Sequence, residues 1–154
     1  MRRLLPQAAV PGVRRGILAL SLVMLIRLLT PPRLGRQHDS QETQAIAAIR
    51  TLHTAQVEFC SEYGRYAASL TELGPPPRGA ASPSAADLIG NDLAVGEKSG
   101  YKFTLTATPE GYAINADPVA FNSSAGRTFY SDQTLVIREN LAWEPATSNS
   151  QELR

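Results

Sequence analysis

One cysteine and one tryptophan occur in 154 residues, and the first 36 residues contain no aspartate or glutamate. Each scarcity excludes something. Cys60, the lone thiol, closes no intrachain disulfide and supplies no cysteine cluster for zinc, so stability has to come from packing. Its expected place is that of a small buried apolar residue on a helix, because a catalytic thiol needs a base beside it and the sequence shows none. The phosphate-loop spacing is also missing: Gly96-Glu97-Lys98-Ser99 has a glycine and a lysine but not the Gly-x-x-x-x-Gly-Lys-[Ser/Thr] spacing, so it reads as a turn. His38, His53 and Cys60 share no metal-ligand spacing, and His53 is expected to be an ordinary helix-face histidine.

The missing acids expose a division that the net charge of +1 conceals. Seven arginines lie between Met1 and Arg36, while the remaining eight basic residues face all fourteen acids downstream. The first part therefore reads as a targeting or anchoring segment that opens on a basic leader, residues 1–16, and the second as a mildly acidic domain, whose scattered cations argue against nucleic-acid binding. With 43% hydrophobic residues, the chain has length for one domain and a small appendage, not two domains.

An apolar run, Ile17 to Ile26, follows Arg14 and Arg15. Extended through Arg27 to Leu29, it rises only about 20 Å as a helix, short of the ~30 Å hydrocarbon core. It reads as a short membrane anchor over 17–29, with the arginines before it holding the amino terminus in the cytoplasm. No Ala-x-Ala cleavage pattern and no lipidation cysteine follows. Residues 30–39 read as a Pro/Arg linker, because Pro31-Pro32 ends a helix entering from residue 17.

The soluble head spans residues 40–139. Ser40 caps a predicted helix in which Ala45, Ala48, Ile49, Leu52, Ala55, Phe59 and Tyr63 recur at three- and four-residue spacing, and Gly64 stops it. Gln44, Arg50, Thr54, Glu58 and Glu62 mark the wet face. A helical turn is expected at Ser69–Leu73, and a second helix from Ser84 towards Gly96. From Tyr101 the period changes to two. Residues 101–108 and 112–117 form one hairpin across Pro109-Glu110-Gly111, and 127–131 and 134–138 form a second across Asp132-Gln133. About four antiparallel strands with a long amino-terminal helix packed across them make an α+β fold. The polar tail, 140–154, has no period and is expected to be disordered. Asp117, Asn122, Ser131 and Asp132 offer oxygen ligands of the kind calcium takes, but too few for a site, so no metal or other cofactor is expected.

Taken together, the basic leader, glycine, apolar segment, amphipathic helix and antiparallel meander resemble the bacterial type IV pilin-like proteins, including the pseudopilins of type II secretion. The stretches most similar to that family are Ala45–Gln56, Tyr63-Gly64-Arg65-Tyr66, Lys98–Phe103, Gly111–Pro118 and Arg127–Asp132. The resemblance implies a leader-peptidase site between Gly16 and Ile17, where Ser21 stands at the position of the family's usual glutamate. It also implies a single-pass inner-membrane protein with its head in the periplasm or on the cell surface. Such a protein is no enzyme; its partners are other pilin or pseudopilin subunits and inner-membrane assembly proteins. A membrane-anchored periplasmic or surface binding domain that has lost filament assembly is the alternative, and a small exported enzyme is a third.

Overall fold

The computed structural model describes residues 34–120, 126–142 and 144–154, with side chains from residue 39. The leader, the apolar segment 17–29 and the Gly16–Ile17 site lie outside these residues.

Helix α1 runs Leu34–Tyr63, about 45 Å at ~1.5 Å per residue. It therefore begins six residues before Ser40, and residues 34–39 of the segment expected to be a linker are helical. The predicted stripe is the buried one: Ala45, Ala48, Ile49, Leu52, Ala55 and Phe59 are all in the core, and Tyr63 packs at its edge. Gly64 ends the helix at φ +72, a left-handed conformation that glycine adopts without steric cost, and donates its N–H to the Cys60 carbonyl at 2.9 Å. Buried Gln56 then fixes the returning chain: its Oε1 accepts from the Ala67 N–H at 2.8 Å, and its Nε2 donates to the Ala67 carbonyl at 3.0 Å.

Helix α2, Leu70–Leu73, is the expected turn, with the Ser69 side chain accepting from the Glu72 N–H. The second helix is shorter than predicted and lies later, as α3 at Asn91–Ala94. Residues 85–89 carry apolar side chains at helical spacing, yet their backbone pairs with α2 instead. The N–H groups of Ala86 and Asp87 reach the carbonyls of Glu72 and Gly74, and those of Leu88 and Ile89 both reach Leu73. Gly74 lies under α3 so closely that a Cβ there would sit 2.5 Å from that of Ala94.

Among the described residues the sheet has six antiparallel strands in sequential order, against the expected four or so: β1 Glu97–Lys98, β2 Tyr101–Thr108, β3 Gly111–Pro118, β4 Thr128–Asp132, β5 Arg138–Asn140 and β6 Gln151–Glu152. The first hairpin pairs Phe103 with Ala116 and Leu105 with Ile114, placing both pairs on the face that α1 covers. The second hairpin exists with a later return strand, because Leu135 stands at φ +65 and Asp132 captures the Thr134 N–H, which turns residues 133–137 into a loop.

The tail is ordered against expectation. Asn115 Nδ2 donates to the Ala146 carbonyl at 3.0 Å, Thr128 Oγ1 donates to that of Glu144 at 2.9 Å, and β6 pairs with β5. Asn115 and Thr128 alternate with residues under the helix, so the tail crosses the opposite face of the sheet. Helix, sheet and tail form three layers.

Candidate functional site

Polar chemistry concentrates where α1 crosses β3 and β4. His53 follows Ile49 by one helical turn and so points into the packed face, where it is only 7% exposed. Tyr112 and Ser131 reach it because each has the inward parity of its strand. Nδ1 of His53 lies 2.7 Å from the Tyr112 hydroxyl, and Nε2 lies 2.8 Å from Ser131 Oγ.

The proton positions follow from the partners. Ser131 Oγ donates to the Val136 carbonyl at 2.9 Å, so it accepts from His53 Nε2–H, and His53 Nδ1 in turn accepts from Tyr112. This assigns a neutral Nε2–H tautomer. Burial pushes the His53 pKa below its ordinary value against the opposing pull of Asp132, while burial, with Tyr66 and Asp132, pushes the Tyr112 phenol up to about 12. As a serine–histidine pair the arrangement has the wrong polarity for nucleophilic attack: the serine proton is spent on a main-chain carbonyl, and the histidine is its donor, not its base. The network joins the helix to the sheet and to the β4–β5 loop.

That order carries a pH dependence. The unfolded chain takes up a proton at His53 near its ordinary value of 6.5, whereas the folded histidine stays neutral further into acid. Stability is accordingly full above about pH 6.5 and falls below it by up to about 1.4 kcal/mol per pH unit until the folded histidine titrates. Burial opposes ionisation of Asp132, but donation from Thr134 and Tyr130 outweighs it and holds that carboxyl below its ordinary range, so its contribution is lost only at lower pH. Urea midpoints between pH 8 and 5 should show the slope in the wild type and lose it in His53→Gln; a wild-type midpoint flat to pH 5 would contradict the assignment.

Two shallow grooves flank this network. One, of about 370 Å³, is lined by Arg50, Ile137 and Leu153 among others; the second, of about 480 Å³, lies along α1 between Val57, Glu58 and Ser61. His53 and Leu135 border both, and Val57 and Leu135 are 57% and 55% exposed.

The other residues singled out in the sequence do not converge. Cys60 is half-buried, not buried, and Glu58 and Glu62 are exposed on the wet face of α1. Lys98, expected on a turn, lies in β1 and pairs with Asp92 at 2.9 Å. Asp117 stands on β3 opposite Lys102, and burial raises its pKa despite that lysine. Asp132 and Ser131 spend their oxygens within the β4–β5 loop and on His53, and Asn122 lies outside the described residues. Among the described residues, no three His, Cys, Asp or Glu stand together as metal ligands, and no helix is long and apolar enough to cross a membrane.

Comparison with protein-family models, with curated proteins and with solved structures finds no match. The His53–Tyr112–Ser131 network was absent from the sequence reading, although its signal was there: a histidine one turn from Ile49, and two hydroxyls at the buried parity of their strands.

Proposed function

We propose that this chain is a structural pilin-like subunit, a minor pilin or pseudopilin of a type IV pilus or type II secretion system, and that it works through protein–protein packing. One observation carries the reading: α1, the amphipathic helix seated on an antiparallel meander, follows in sequence on a basic leader and the apolar segment 17–29. In such a subunit the apolar segment stores the protein in the inner membrane and later buries against neighbouring subunits, while the head stands in the periplasm or on the cell surface. The polarity of the His53 network supports a non-enzymatic role, since its serine is not poised as a nucleophile.

Ser21 favours a second reading. The family's glutamate at that position is thought to meet a neighbour's amino terminus during assembly, and a serine leaves that contact unmade. A membrane-anchored binding domain without filament assembly is the form this reading takes.

Processing at Gly16–Ile17 is open to a direct check. Expressed with a prepilin peptidase, a carboxy-terminally tagged chain should lose the mass of residues 1–16 relative to the same chain expressed without one. Identical masses would remove processing from the account.

A further inference from the structure

The loop from Pro75 to Ser84 takes no part in the helix–sheet packing that the proposed function uses. Its base is closed by main-chain hydrogen bonds from Ala86, Asp87 and Leu88 to Glu72, Gly74 and Leu73, at 2.8 to 2.9 Å, and Ser82 and Ala85 bridge just inside it. Between these ties the chain is free of them: residues 75–81 make no main-chain hydrogen bond among the described residues, and Pro77, Arg78, Gly79, Ala80 and Ala81 are all exposed. A Cβ placed on Gly79 would meet nothing within 4 Å, so space is open around the Arg78–Gly79 bond.

Arg78 is singular among the nine basic residues of 34–154. Arg36 and Arg50 lie in α1, and Lys98, Lys102 and Arg138 lie in strands. Arg65 is held by Glu72 at 2.8 Å and stacks over Phe59, Arg127 is held by Glu42 and Glu139, and Arg154 is the last residue. An endopeptidase needs several residues in extended form across its cleft, and only around Arg78 does the chain reach that form without breaking a strand, a helix or an ion pair.

We propose that Arg78–Gly79 is a cleavage site for a serine endopeptidase of trypsin-like specificity, one whose acidic pocket accepts the guanidinium, and that the cut head stays in one piece. The protease serine attacks the Arg78 carbonyl, the bond to the Gly79 nitrogen breaks, and that nitrogen leaves as an amine with a proton from the protease histidine. Water then releases Arg78 as a carboxylate. Both sides of the cut stay anchored, because Leu70 and Leu73 before it and Ala86, Ile89 and Leu93 after it belong to one core.

Limited digestion of the full chain in detergent with trypsin tests this by mass. Within residues 34–154 the first cut should fall after Arg78, roughly tenfold faster than any other. The two head fragments should co-elute on native size exclusion and separate in denaturant, and Arg78→Gln should abolish the early cut. A first head cut after Arg65 or Lys98, dissociation of the fragments under native conditions, or an unchanged early cut in Arg78→Gln would each overturn the proposal.

Discussion

A chain ending at Asn140 should be less stable than the full chain by about 3 kcal/mol, since net contributions of ~0.5–1.5 kcal/mol per hydrogen bond are offset in part by the entropy of ordering the tail. The bonds at stake are those from Asn115 to Ala146, Thr128 to Glu144, Arg138 to Ser150 and Leu153 to Ile137, together with the β5–β6 pairing. Truncation also uncovers Thr128, now only 1% exposed, and removes Ala146, which is buried to the same degree. Expressed as a melting temperature, the loss is roughly 10 °C for a head of this size. A disordered tail predicts no change, so a shift within about 2 °C would contradict the three-layer arrangement.

Gln56→Leu should cost more, about 3–5 kcal/mol. Leucine nearly keeps the volume of the side chain, so packing is conserved while both partners are lost. The N–H and carbonyl of fully buried Ala67 then lose the one side chain that satisfies them among the described residues, at ~1–3 kcal/mol for each unpaired group. A fall in the urea midpoint at unchanged slope would report this loss. A cost below about 1 kcal/mol would show that the chain after Gly64 is held by something else.

Much of this architecture was legible because it obeys a period. The α1 stripe from Ala45 to Phe59 and the alternation of β2 and β3 follow from burying one face of a helix or strand, and those residues are the core. Three features were not legible, two because a long-range bond overrode the local pattern and one because a side-chain turn interrupted it. Residues 85–89 have helical spacing, but their N–H groups find the carbonyls of α2. Leu135 falls in a run that alternates like a strand, but the Asp132 side chain draws the chain into a turn. The tail is polar because it lies at the surface, and its order rests on Asn115 and Thr128, which lie far from it in sequence.

The candidate site divides in the same way. Gly16 and Ile17 were named from a family pattern and lie outside the described residues. The lack of metal-ligand spacing at His53 said nothing about two hydroxyls 59 and 78 residues away. The signal was one of parity, since a polar residue on a buried stripe requires a partner and Tyr112 and Ser131 were the inward-facing candidates.

Membrane crosslinking followed by capture of the tagged protein tests the proposed role most directly. A filament subunit should bring down other pilin or pseudopilin subunits, identified by mass, in crosslinked products that disappear when segment 17–29 is replaced by an unrelated membrane anchor. Recovery of this chain alone, at crosslinker levels that join known neighbours in the same membranes, would contradict assembly and leave the anchored binding domain as the reading.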